Sequence, residues 1–544
     1  MDQFCRPRPP RLARGPAPPL AFGAPRADDR GVDATVDAGR AGGIRLGTAP
    51  GRWVVLATVL GSGMAMLDGT VVNVALPRIG EDLGASLADL QWTVNAYLLT
   101  LAALILLGGS LGDRYGRRRV FLIGVCWFAV ASAACAAAPS VGVLVAARAL
   151  QGIGGALLTP GSLAMLQAVF HPDDRAGAVG AWSGLGGVAA AVGPFLGGWL
   201  VDGPGWRWIF LLNVPLAAVV VAVTARHVPE TRDPEASGRF DVPGAVLAAL
   251  ALAGVTYTLT EPDSALAPVT GAAGVLCAVA FVLVERRSAD PMLPLELFRS
   301  RLFTAINLVT LCVYAAFSGI FLLLTVQLQI VSGFSPLTAG VALVPITVLM
   351  LAFSSRAGKL GRAVGPRLPL TLGPMICAVG VLLMLRIGPT ASYWTDVLPA
   401  VVVLGCGMTL LVAPLTATVL AAVEVRHAGI ASGVNNAAAR AAGLLAVAAL
   451  PALAGLTGDA YRVPAEVDDA FRTAMLICAA LLAGGGLIAV ATVHGNVLDH
   501  TEPLAEPDCD WHAAPTTPPL DPGHECPTCH PAPEEQPGRQ HGTR

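Results

Sequence analysis

The sequence predicts an all-α polytopic membrane protein. Three observations carry this: apolar residues arrive in blocks of spanning length, charge is scarce, and basic residues favour alternate loops. Of 544 residues, 54% are hydrophobic and 13% charged. A soluble chain of this length needs far more charge to coat its surface.

The apolar blocks lie at 53–77, 92–111, 120–138, 141–168, 177–201, 207–225, 243–261, 266–284, 302–331, 336–355, 368–387, 395–420, 429–455 and 471–494. Each has about the twenty residues that cross hydrocarbon as a helix. The count is fourteen transmembrane helices, with both termini cytoplasmic. The seventh and eighth blocks are the weakest, being rich in Ala and Gly and parted only by Glu261-Pro262-Asp263. The loop charges test the count. With the N-terminus inside, the inner loops hold seventeen basic residues and the outer loops five (Arg78, Arg207, Arg386, Arg462 and Arg472). That is the positive-inside bias, and one missed or extra helix would reverse it downstream.

An internal repeat orders the helices. Leu111-Gly112-Asp113-Arg114-Tyr115-Gly116-Arg117-Arg118 joins the second and third blocks, and continues to Gly124. Leu360-Gly361-Arg362-Ala363-Val364-Gly365-Pro366-Arg367, continuing to Gly373, joins the tenth and eleventh at a constant offset of 249. Two six-helix bundles follow, over 51–226 and 302–494, with a linker and two inserted helices over 227–301. Parallel repeats of this kind form transporters, with the substrate between the halves near mid-membrane. Residues 1–50 read as a disordered N-terminal arm, and 495–544 as a disordered cytoplasmic tail.

Several functions are excluded. A net charge of −2 argues against a nucleic-acid partner. No GxxxxGK[ST] string occurs, so ATP is not the direct energy source. No catalytic constellation stands out, so an enzyme is not expected. Seven of the eleven cysteines lie singly in apolar blocks and read as small buried hydrophobes. The remaining partners are the lipid bilayer, protons and a small organic substrate, for a chain expected to be a monomer in the cell membrane.

The first half carries four motifs in order. They are Leu67-Asp68-Gly69-Thr70 through Pro77, Gly108-Gly109-Ser110-Leu111-Gly112-Asp113-Arg114-Tyr115-Gly116-Arg117-Arg118, Arg148-Ala149-Leu150-Gln151-Gly152, and Gly193-Pro194-Phe195-Leu196-Gly197-Gly198. Trp206 through Pro215, including Asn213, and Gly429 through Asn436 accompany them. Together they resemble the major facilitator superfamily, specifically its fourteen-span drug:proton antiporter family, over about residues 53–495. The resemblance implies a conformational latch at Gly112, Asp113, Arg114, Gly116 and Arg117. It implies proton coupling at Arg148 and antiport, rather than symport, at Gly193, Pro194, Gly197 and Gly198. The family's usual glycine four residues before Gly193 is Ala189 here, a departure that bears on the direction of transport.

Each motif also has a bland reading. Arg117–Arg119 fit a topogenic basic turn, and Asp113 fits a helix cap or an ion pair. Arg148, seven residues into its block, either faces a cavity or snorkels to the interface. Asp68 lies roughly 22 Å along its helix, at about 1.5 Å per residue. A carboxylate that deep has lost its water and suits proton carriage; the alternative is a hydrogen bond to Thr70 or a neighbouring helix. Gln151, Tyr314, Phe317, Gln327, Asn435, Asn436 and Arg440 are candidates for the substrate cavity, with helix packing as the alternative. Asp68 is the one acidic residue well inside a span, so the substrate is expected to be neutral or monovalent.

The tail holds Cys509, His512, Cys526 and Cys529, a spacing that fits a zinc site and equally a plain disordered tail. No other metal site is expected. The leading reading is a proton-driven exporter of a drug, antibiotic or related metabolite, without a cofactor. The rivals are a nutrient symporter or uniporter on the same fold, and a membrane sensor or metal-regulated protein acting through the tail.

Overall fold

The computed structural model describes residues 43–232, 241–288, 291–423, 428–456, 460–461 and 463–493. The tail cysteines and His512 lie outside them, as does most of the N-terminal arm.

The helices are α1 (Ala49–Leu83), α2 (Leu87–Tyr115), α3 (Arg117–Ala136), α4 (Val141–Val169), α5 (Pro172–Asp202), α6 (Arg207–His227), α7 (Val242–Thr260) and α8 (Ala267–Arg287). They continue as α9 (Arg301–Val331), α10 (Pro336–Ala342 and Val344–Val364), α11 (Arg367–Arg386), α12 (Tyr393–Ala421), α13 (Ala428–Leu453) and α14 (Pro464–Thr492). Among the described residues, 13 helices are long and apolar enough to cross a membrane. The block at 177–201 is also helical, as the 31-residue α5.

Local chemistry sets the helix starts. Thr48 caps α1, Ser300 caps α9 and Ser335 caps α10, each accepting a backbone N–H of the first turn. Ser86 and Asp89 form a reciprocal capping box on α2. The arm was expected to be disordered through residue 50, but its end is ordered. Ile44 bridges to Phe170, with Ile44 N–H donating to the Val169 carbonyl at 2.8 Å, and Asp174 accepts from Leu46 N–H at 3.1 Å. Paired backbone groups hold this stretch where composition alone suggested none.

The repeat recurs in the backbone. Gly116 ends α2 with φ 109°, and Gly365 ends α10 with φ 78°. Both values favour glycine. A Cβ on Gly124 would lie 2.9 Å from the Leu158 nitrogen of α4, and one on Gly373 would lie 3.1 Å from the Leu411 Cα of α12. One apolar core is built from 54–228 and another from 297–493. A third, including Leu76, Ile79, Leu200, Leu322, Val331 and Val467, takes residues from both regions.

The helix pair α7–α8 sits outside these cores. Its two helices touch closely, a Cβ on Gly254 falling 2.5 Å from the Thr270 carbonyl. α7 lies against α2 and α13, and Trp92 donates to Glu261 at 3.1 Å.

Hydrogen bonds between residues before 232 and after 291 cluster at one end of the molecule, the end away from Gly116. Gln91 donates to the Val447 carbonyl at 2.8 Å, and Gln329 to that of Val74 at 3.0 Å. Tyr461 donates to Ala85 at 2.7 Å, and Leu337 N–H to Asp202 at 3.0 Å. At the Gly116 end no hydrogen bond joins these regions among the described residues. These bonds seal the two regions together at the end away from Gly116.

Candidate functional site

The polar centre of the first region is built from five helices. Asp68 of α1 pairs with Arg148 of α4 at 2.5 Å, and both side chains are about 1% exposed. The other Asp68 oxygen accepts from Gln151 at 2.9 Å and from Asn213 at 3.1 Å. Gln151 also donates to Ser132 of α3 at 2.6 Å and accepts from Arg148 at 2.7 Å. Arg148 donates its Nε–H to the Thr93 carbonyl of α2 at 3.1 Å. Its guanidinium lies 4.3 Å from the Tyr97 ring centroid. Such a set is affordable in a membrane interior because charge and lone pairs are matched.

Arg148 and Gln151 are three apart on α4, so one helix face presents both to α1. The structure brings together Asp68, Arg148 and Gln151. Gln151 is consumed by this network, with no free group toward a cavity. Arg148 does not snorkel. Asn213 and Ser132 were not among the sequence candidates. Asn213 stood in the quoted stretch before Pro215, at the break between Arg207–Leu211 and the rest of α6, and an amide at that depth was a usable signal. Ser132, in an Ala-rich run, gave none.

The loop after α2 is tied down by its own region. Asp113 accepts from Arg117 at 2.8 Å, one turn on. Glu230, after α6, takes the N–H groups of Arg118 and Arg119 at 3.1 and 3.2 Å, capping α3. A Cβ on Gly116 would lie 2.6 Å from that carboxylate. Arg114 is exposed, beside the Tyr115 ring. A Cβ on Gly112 would come no nearer than 3.9 Å to the neighbouring Arg117. The tight approach lies one turn earlier, where Gly108 abuts the Ala156 carbonyl.

The α5 motif joins three helices. Gly193 abuts Thr70 and Gly197 abuts Val71, both on α1, while Gly198 abuts Pro336 and Leu337 on α10. Gly340 of α10 reciprocates against the Pro194 carbonyl.

The candidates after residue 300 separate. Gln327 is not at mid-span: it donates to Ile387 at 2.9 Å and to Asp468 at 2.6 Å, at the sealed end. Its cavity role is withdrawn, since its donor is spent on packing. Asn435 likewise donates to Asn307 and Thr310 of α9, at 3.2 and 2.8 Å. Tyr314 and Phe317 stand with ring centroids 6.2 Å apart. Asn436 is exposed and Arg440 partly so.

The sequence model of the Major Facilitator Superfamily matches residues 58–447. The puromycin resistance protein pur8 of Streptomyces alboniger is 36% identical over 468 residues, 84% of this chain and 89% of its own. The tetracenomycin C resistance and export protein of Streptomyces glaucescens is 35% identical over 423 residues, 75% of this chain and 77% of its own. Among solved structures, the peptide transporter POT in complex with sulfate superposes with a TM-score of 0.60. It shares 15% identity and covers 80% of this chain and 94% of its own, a likeness of fold alone. With its helical halves, its matched motifs and these relatives, the chain belongs to the Major Facilitator Superfamily and is a multi-pass integral membrane transporter, not an enzyme.

Proposed function

We propose that the chain is a proton-coupled antiporter that exports a small organic compound, a drug, antibiotic or related metabolite, across the cytoplasmic membrane. On the reading of fourteen spans with both termini cytoplasmic, the sealed end is the outer one. The observation that carries the reading is Asp68, a carboxylate at membrane depth wrapped by Arg148, Gln151 and Asn213. An ion pair with Arg148 fits the deprotonated form, as expected once a proton has been delivered inward. Opening of the outer end exposes Asp68 to protons, and protonation releases Arg148. Gly193, Gly197 and Gly198 favour exchange, because they couple α1, which bears Asp68, to α10 across the outer seal.

The relatives suggest the first compounds to test. A hypersensitive host expressing the chain should tolerate puromycin or tetracenomycin C better than a host without it. Inverted vesicles should then show proton movement when the protecting drug is added. Drug protection that survives collapse of the proton gradient would remove the antiport assignment. Drug accumulation on expression would favour the symport alternative.

A further inference from the structure

Arg440 stands in the middle of α13, and among the described residues it has neither an ion pair nor a hydrogen bond. Its surroundings follow from the contacts on either side. Residues 433, 440 and 447 are seven apart and share one face of the helix. A Cβ on Gly433 would lie 3.0 Å from Leu106 of α2, and the Val447 carbonyl accepts from Gln91 of α2. The two helices therefore run antiparallel, and Arg440 comes opposite Leu98 and Leu99. On α9, Asn435 donates to Thr310 at 2.8 Å and a Cβ on Gly443 would lie 2.7 Å from the Ser318 hydroxyl, which brings Arg440 level with Tyr314. Asn95, about one turn along α2, is fully buried, and neither its amide nitrogen nor its oxygen has a partner. Asn436, one turn before Arg440 on the same face, is exposed.

The charge balance of that space is one-sided. Asp68 is already bound to Arg148. Among the described residues of α9–α14 the acidic ones stand in the first two turns of α12 and α14: Asp396, Glu466, Asp468 and Asp469. An arginine at membrane depth without a counter-charge is costly, and a bound anion offsets that cost through charge-assisted hydrogen bonds.

We propose that Arg440 supplies the counter-charge for the substrate, and that the exported compound is an amphipathic organic monoanion. Its acidic group meets Arg440, its apolar body meets Tyr314 and Phe317, and a neutral polar group satisfies Asn95. This rests on the export reading and narrows its substrate class.

The test uses the full chain in nanodiscs and two fluorescent probes: dansylglycine, a carboxylate, and dansylglycinamide, its neutral amide. The wild type should bind the acid at least about tenfold more tightly, a difference of about 1.4 kcal/mol. Arg440→Gln should abolish the preference, and Arg440→Lys should keep most of it. Equal affinities in the wild type, no measurable binding of either probe, or a preference that survives Arg440→Gln overturns the proposal. The wild-type comparison decides even if Arg440→Gln fails to fold. Protons exchanged for a panel drug alongside equal probe affinities would sink this inference and leave the export reading intact. Absence of drug export with a clear acid preference would do the reverse.

Discussion

Gly198 on α5 lies against the backbone of Leu337 on α10, where a Cβ would fall 2.6 Å from the Leu337 Cα. No flexible side chain is there to yield, so the seal between the two regions depends on the missing Cβ. Gly198→Leu should therefore drive the two regions apart at that end. A reporter cysteine at Val331, 8% exposed within the shared core, reads this in a cysteine-free background. Labelling by an impermeant maleimide from outside should rise about tenfold, the effect of a shift of about 1.4 kcal/mol. Unchanged labelling would mean that the seal tolerates a side chain.

The Asp113–Arg117 pair is partly exposed, at 38% and 16%, so its loss costs little stability, under about 1 kcal/mol. Asp113→Asn should leave normal amounts of protein in the membrane and reduce drug efflux severely. Arg119 is needed at this junction only for its backbone N–H, which Glu230 accepts. Arg119→Ala should keep efflux and stability close to wild type, within about 0.5 kcal/mol for the latter. Equal efflux by Asp113→Asn and wild type would reduce this loop to a topological signal.

Topology is checked by reporter fusions. Fusions after Pro234 and after Ser288 should both report the cytoplasm, and one at Asp263 the outside. Asp263 follows Glu261, which accepts from Trp92 near the start of α2, at the sealed end. A cytoplasmic signal at Asp263 would remove α7 and α8 as a spanning pair.

The helices were legible because hydrocarbon demands long apolar blocks, and the repeat was legible because Gly116 and Gly365 must both hold positive φ. Asp68 and Arg148 were each legible as a costly charge at depth, although no pattern in a single chain says which helices face each other. The Asn213 amide at membrane depth was a usable signal, whereas Ser132 in its Ala-rich run gave none. Gln327 and Asn435 follow the packing alternative. Their amides meet Asp468 and Thr310, partners far away in sequence that only the packed helices reveal.

The strongest prediction concerns the Asp68–Arg148 pair. Both side chains are fully buried, and removing one partner of such a pair costs about 3–5 kcal/mol because the other charge is left uncompensated. Arg148→Gln should therefore lower the melting temperature clearly. Asp68→Asn should cost less, since its amide oxygen can still accept from Arg148 and its shape is unchanged. The double variant Asp68→Asn, Arg148→Gln removes both charges and should recover much of the loss, giving a favourable coupling energy in a double-mutant cycle. Transport separates structure from function. Asp68→Asn has no group to titrate at this site, so vesicles bearing it should show no proton movement on addition of a drug that the wild type exports. The double variant should be stable and equally inactive, so that inactivity cannot be assigned to unfolding. Drug-driven proton movement at the wild-type rate in either Asn variant would show that Asp68 is not the proton carrier.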